Sequence, residues 1–159
     1  MNILNNVNDT ESGWTKRDLE LIREIIEDGY DFLCHSIPNN PNHLIIRKVM
    51  KSQRSYLLRI EYVGDGDGAY QIIEGKIPEG SHLIETGIID SDPNATKFDL
   101  FEFSKTLWDE AMFSSHYLIG DPNHVILQRC AYKYRTYLCT FQFIGDGDAC
   151  HDSIIDQFM

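Results

Sequence analysis

Between positions 15 and 36, Leu19, Ile22, Ile26, Tyr30 and Leu33 are spaced by three and four, the apolar stripe of an amphipathic helix. Leu100, Phe103, Leu107 and Ala111 repeat that stripe and predict a second helix over 96–117. Thr15 and Thr96 each precede an aspartate by three, Asp18 and Asp99, which predicts a capping box with Asp in the Glu position. "IPNNPNH" and "IGDPNH" then impose turns. Beyond them the period changes to two. Tyr56, Leu58, Ile60 and Tyr62 alternate with Leu57, Arg59, Glu61 and Val63, and Tyr137, Cys139, Phe141 and Phe143 alternate with Leu138, Thr140, Gln142 and Ile144. Each run predicts a half-buried antiparallel strand, paired through the short links "KSQRS" and "KYRT" with the strand before it. A further strand is expected ahead of each helix, in "NILNNV" and "HLIETGII", and a short helix after each "GDGD".

These coincidences have one source. Shifted by 81 positions without a gap, residues 1–78 match residues 82–159 at 21 identical positions. "PNHLIIRKVMKSQRSYLLRIEYVGDGD" falls on "PNHVILQRCAYKYRTYLCTFQFIGDGD". The reading is an internal tandem duplication of a β-α-β-β unit, with repeats over 1–80 and 81–159. The expected architecture is one α+β domain with a pseudo-twofold axis, its hairpins covered by two amphipathic helices. In element order the unit resembles the small-molecule-binding domains of the gyrase-inhibitor group. The acidic mixture of helices and hairpins resembles type III secretion chaperones. Neither likeness rests on a residue motif, so neither assigns a site.

The net charge of -11, from 25 acids and 14 bases, disfavours nucleic acid and anionic membrane surfaces and suits a basic protein partner; it also serves solubility alone. No apolar run is long enough for a membrane span, and the N-terminal stretch lacks the blocks of a signal peptide. Cys34, Cys130, Cys139 and Cys150 form no CxxC pair and read as reduced thiols, mainly core residues, of a cytoplasmic protein.

Candidate chemistry is sparse. Asp65, Asp67, Asp146 and Asp148 in the two "GDGD" stretches supply hard-cation ligands, but Ala69 and Cys150 stand where a calcium loop needs its third acid. Turns and helix caps are the preferred reading, with glycine supplying unusual backbone angles. His35 with His43, and His116 with His124, repeat a spacing of eight around the expected helix exit; zinc or iron ligation is set beside structural roles, which are preferred. Cys150, His151 and Asp152 adjoin one another, but neighbours on a helix point to different sides. No nucleotide-binding, metalloprotease or serine-hydrolase motif is present.

Charge is unevenly spread. From His43 to Ile60 there is no acid, while Arg47, Lys48, Lys51, Arg54 and Arg59 give five positive charges. The second hairpin holds Arg129, Lys133 and Arg135 beside Tyr132, Tyr134 and Tyr137. The acids of the first helix are numerous enough to neutralise the first hairpin internally. The sequence therefore points to a non-enzymatic acidic binding module, of inhibitor or immunity type (toxin immunity or phage-borne anti-defence). It would dock on a basic surface of another protein through Glu24, Glu27, Asp31, Asp65, Asp67, Asp146 and Asp148, with no cofactor and no membrane contact. The alternative is a small-molecule or nucleotide module holding an anion with Arg47, Arg54, Arg135, Tyr132 and Tyr137. A metal-dependent enzyme built on the paired histidines and aspartates is the third reading. Oligomeric state is left open.

Overall fold

The computed structural model describes residues 12–38, 40, 42–50, 53–66, 83, 84, 90, 92–117, 121–130, 134–147 and 154. Their elements are α1 (Ser12–Asp28), β1 (Phe32–Ser36), β2 (His43–Lys48), β3 (Arg54–Asp65), α2 (Pro93–Asp109), β4 (Phe113–Tyr117), β5 (His124–Arg129) and β6 (Arg135–Asp146). From α2 onward, each element begins and ends 81 residues after its counterpart. The chain is α+β: one six-stranded antiparallel sheet in the order β1-β2-β3-β6-β5-β4, with two helices.

Both helices are shorter than their stripes suggest. The helix expected over 15–36 ends at Asp28, and residues 32–36 form a strand; the helix expected over 96–117 ends at Asp109, before β4. Tyr30 and Ala111 cause this by adopting left-handed φ values of 66° and 59°. The N–H groups of Gly29 and Tyr30 return to the carbonyls of Ile26 and Glu27, closing α1 as a C-cap does. Beyond that turn, Phe32 and Cys34 are buried while Leu33 between them is exposed, so the side-chain period has become two.

The predicted capping boxes are also corrected. Asp92 caps α2, accepting from the Ala95 N–H, and Pro93 follows as its first residue. Thr15, Asp18, Thr96 and Asp99 all lie inside their helices and are buried. The unit over the described residues is therefore α-β-β-β. The strand expected in "NILNNV" lies outside the described residues; of the one in "HLIETGII" only Leu83 and Ile84 are described, and neither is in a strand. Of the short helices expected after "GDGD", only Ile154 falls within the described residues.

One large core lies between the helices and the sheet. Leu19, Ile22 and Ile26 of α1 and Leu100, Phe103 and Leu107 of α2 pack on the inward residues of all six strands, including Tyr56, Leu58, Tyr137 and Phe141. Tyr56 and Phe141 stack across the central pair at 4.3 Å. The opposite sheet face is not open to water as a half-buried strand implies. Leu57 and Leu138 are buried there with Ile45 and Ile144, and Ile37 and Ile154 lie over that face.

The β3–β6 ladder joins the two halves. Its register aligns Arg54 with Asp146 and Arg135 with Asp65, interrupted by one irregularity at each end. Val63 and Ile144 are the residues passed over there, and both are buried. Such bulges re-aim the strand ends. The glycines that follow hold φ values of 133° at Gly64, 75° at Gly66, 125° at Gly145 and 76° at Gly147.

Candidate functional site

Two clusters of buried and half-buried polar side chains each take their parts from both halves. In the first, α2 supplies Asp99 and Thr96, and β2 and β3 supply Lys48, Arg54 and Tyr56. The Tyr56 hydroxyl donates to Asp99. Arg54 Nε donates to the Tyr56 hydroxyl at 2.8 Å, and its Nη2 donates to Asp90 at 2.9 Å and to Thr96 Oγ1 at 3.0 Å. Lys48 Nζ stands 3.3 Å from Asp99 and 2.7 Å from Glu102. In the second cluster α1 supplies Asp18 and Thr15 to β5 and β6. The Tyr137 hydroxyl donates to Asp18, Arg129 donates to Asp18 at 2.6 Å, and Arg135 donates to Tyr137 at 2.8 Å and Thr15 at 3.1 Å. Asp18, Thr15, Arg129, Arg135 and Tyr137 stand 81 positions from Asp99, Thr96, Lys48, Arg54 and Tyr56, whereas Glu102 of the first cluster has Leu21 at the equivalent position.

Burial decides what these groups can do. Desolvation raises the phenols of Tyr56 and Tyr137 well above the ordinary tyrosine range, so both remain protonated donors. Burial opposes the charge on Lys48, yet Glu102 and Asp99 hold its pKa above the usual lysine value. Burial likewise opposes ionised Asp90, but Thr96, Arg54 and the Asp92 N–H bring its pKa below the usual carboxylate range. Arg54 also lies over the Phe143 ring and Arg135 over the Tyr62 ring, each at 4.1 Å. These clusters tie each helix to the hairpin of the other half. Of the first helix's acids, Asp18 thus serves the second hairpin rather than the first, which corrects the expected pairing.

The proposed anion-binding residues are dispersed. Arg54 and Arg135 lie at opposite ends of the β3–β6 ladder, each in its own cluster, and Tyr137 is buried in one of them. Arg47 is half-buried on β2, and Tyr132 lies outside the described residues. A cleft of about 460 Å³ reaches Lys48 and Arg54, but Asp92, Asp99 and Asp146 share its wall.

The proposed partner-binding acids divide similarly. Glu24 and Asp31 are exposed on or just beyond α1, and Glu27 accepts from Arg23 at 3.1 Å. Asp65 and Asp146 are exposed at opposite ends of the ladder, while Asp67 and Asp148 lie outside the described residues. Gly64–Asp65 and Gly145–Asp146 form the last residues of β3 and β6 rather than a turn. The Tyr62 hydroxyl donates to Asp65 at 2.7 Å, Gly147 N–H donates to the Gln53 carbonyl at 2.9 Å, and Ser55 and Thr136 donate to the carbonyls of Gly147 and Gly66.

The histidines do not stand at helix ends. His35 lies on β1 opposite Ile45, and His43 lies on β2 opposite Arg59. His43 Nδ1 is 3.0 Å from Asn40 Oδ1, and burial with nearby Arg59 lowers its pKa to about 4. The equivalent His124 faces a carboxylate instead, Asp121 at 2.7 Å. Among the described residues no group of three or more His, Cys, Asp or Glu side chains is arranged to hold a metal ion. Cys34 and Cys139 are buried, whereas Cys130 is exposed rather than a core residue; Cys150, with His151 and Asp152, lies outside the described residues. No helix among the described residues is long and apolar enough to cross a membrane.

Sequence reasoning missed one exposed feature. Phe98, Phe101, Trp108 and Met112 project from α2 and its exit. The spacing of three and seven from Phe98 to Trp108 was available as a second helical stripe, beside the one that faces the core; Met112 lies beyond the left-handed turn at Ala111. No protein-family model matches the chain, and no curated protein or solved structure is similar to it.

Proposed function

We propose that this chain is a non-enzymatic binding module that docks on a basic surface of another protein, in the manner of an inhibitor or immunity protein. The observation that carries the reading is the outer face of α1. Glu20, Glu24 and Asp28 are exposed there and Asp31 just beyond, while Lys48, Arg54, Arg129 and Arg135 of the hairpins are engaged with Asp18, Asp90, Asp99 and Glu102 beneath or beside the helices. The acids left outward, within a net charge of -11, would steer a cationic partner and raise its on-rate. We further propose that the chain is a tandem duplication over 1–80 and 81–159, with a pseudo-twofold axis between β3 and β6. The common offset of 81 residues in elements, bulges and buried clusters supports this.

The test is a reciprocal pulldown with wild type and the variant Glu24→Lys, Glu27→Lys, Asp31→Lys. Captured proteins are identified, purified and titrated at low and high salt. The reading expects a basic protein that binds wild type directly, weakens with salt and loses the charge-reversed variant. Full binding by that variant removes the acidic helix from the interface.

A further inference from the structure

Between the first half of α1 and the link from β1 to β2 lies a cleft of about 510 Å³, within the size range of small-molecule sites. Leu19 and Leu44, both buried, give it an apolar lining together with Ile37 and Pro38. Its polar groups are nearly all donors. Arg23 is held from two sides, Nε donating to Glu27 at 3.1 Å and Nη1 to Ser36 Oγ at 2.6 Å. The Ser36 hydroxyl, having accepted, keeps its own proton to donate. Asn40 Oδ1 accepts from the N–H groups of Asn42 and His43 at 2.8 and 3.0 Å and stands 3.0 Å from His43 Nδ1. Those contacts settle which way the amide points and leave its Nδ2 without a bond among the described residues. Lys16 and Arg23 are the cations of the lining, and Glu20 is its one acid.

The fold does not demand this set of donors. In the second half Ser104 stands at the position of Arg23, Phe101 at that of Glu20 and Asp121 at that of Asn40. Asp121 Oδ1 accepts from the N–H groups of Asn123 and His124 as Asn40 does from Asn42 and His43. The link between the strands therefore needs the acceptor oxygen alone. Where the first half adds an amide donor, the second adds a carboxylate oxygen that meets His124 at 2.7 Å.

We propose that the cleft of the first half binds a small organic monoanion, a carboxylate carrying a short aliphatic chain. Its oxygens accept from Arg23, Ser36 and the Asn40 amide, and its chain lies along Leu19, Ile37, Pro38 and Leu44. A phosphate dianion would carry more charge than this lining balances. The site is independent of the docking reading, because Glu24, Glu27 and Asp31 form no part of the cleft.

The probe is hexanoate, titrated into the isotope-labelled full chain and followed by NMR, with butyrate, octanoate, hexylammonium and inorganic phosphate as comparators. Hexanoate is expected to give saturable shifts at the Asn40 side-chain amide and at Arg23 Nε, and hexylammonium and phosphate none. Affinity should rise from butyrate to octanoate by up to about fourfold per methylene buried. Arg23→Ser and Asn40→Asp install the residues that the second half carries at these positions, and each should weaken hexanoate by about tenfold or more. Should one variant fail to fold, the other decides, and the wild-type comparison with hexylammonium requires neither. No saturable shift with hexanoate or octanoate, equal affinity for hexylammonium, or undiminished binding by both variants overturns the site. Phosphate bound as tightly as hexanoate overturns the carboxylate assignment.

Discussion

Removing the Tyr137 hydroxyl tests whether the helices are tied across the halves. Tyr137→Phe keeps the ring and its packing, but deletes the bond to Asp18 and the acceptor for Arg135 Nε at 2.8 Å. A hydrogen bond to a charged group is worth roughly 1.5–3 kcal/mol, and this one is fully buried, so a loss of about 2 kcal/mol is expected. At the size of this chain that corresponds to a fall of about 4–8 °C in Tm. Asp18→Asn should cost a similar amount, because it removes the charge that Arg129 meets at 2.6 Å. The decisive quantity is the coupling in a double-mutant cycle, measured by urea unfolding. Tyr137→Phe with Asp18→Asn should be non-additive by about 1 kcal/mol or more, since they share one bond. Tyr56→Phe with Asp18→Asn should add to within about 0.5 kcal/mol, since Tyr56 belongs to Asp99. Coupling of Tyr56 to Asp18, and none of Tyr137, would refute the crossed arrangement.

Backbone handedness should separate two further variants by sign. Tyr30→Gly relieves a left-handed non-glycine residue that is 86% exposed and should stabilise by up to about 1 kcal/mol, whereas Gly147→Ala introduces the same strain at φ 76° and should destabilise by about 1 kcal/mol, although nothing lies within 4 Å of the added methyl. Denaturant midpoints of both variants check this. His43 titrates near pH 4 when folded and near 6.5 when unfolded, so the unfolded chain binds the extra proton between those values. Its contribution is complete above about pH 6.5 and is lost as pH falls toward 4; His43→Gln should flatten that part of the Tm profile. Asn40→Asp, which gives His43 the carboxylate His124 already has, should raise its NMR-measured pKa by about one unit or more. Burial pushes the Cys34 thiol up to about 12 and raises Cys139 further, so of Cys34, Cys130 and Cys139 a thiol reagent should label only Cys130 in the native state, with mass mapping as the check.

Much of the framework was legible because it is written in periodicity, which the sequence carries locally. The hairpins β2–β3 and β5–β6 follow from alternation around Leu58 and Cys139, and the core stripes of α1 and α2 follow from spacings of three and four. The ends of the helices were not legible for the same reason. Tyr30 and Leu33 extend the stripe of α1 by count, and only the left-handed turn at Tyr30 removes them from it. The "EDGYD" glycine is a helix-stop signal, but its counterpart is Glu110, so comparison of the halves hid it. Which acid meets which base lay beyond any local pattern. Asp18 and Asp99 are identical, as are Arg54 and Arg135, and their assignment depends on β3 lying beside β6. The α2 stripe was overlooked because a residue kept at both offsets draws attention, whereas this surface consists of positions where the halves differ.

The crossed clusters also constrain how the chain can acquire its fold as it is made. Asp18 finds Arg129, Tyr137 and Arg135 only at separations of 111 to 119 residues. Until those residues leave the ribosome, α1 has no partner for its buried carboxylate and β3 has an unpaired edge where β6 will lie. Synthesis at roughly 5–20 residues per second sets that interval at several seconds. A chain released early, with its first half alone, carries an open edge on β3, whose missing neighbour β6 is identical to it at 5 of 12 positions. Truncated products should therefore pair with one another, and the second half protects the first by arriving on the same polypeptide.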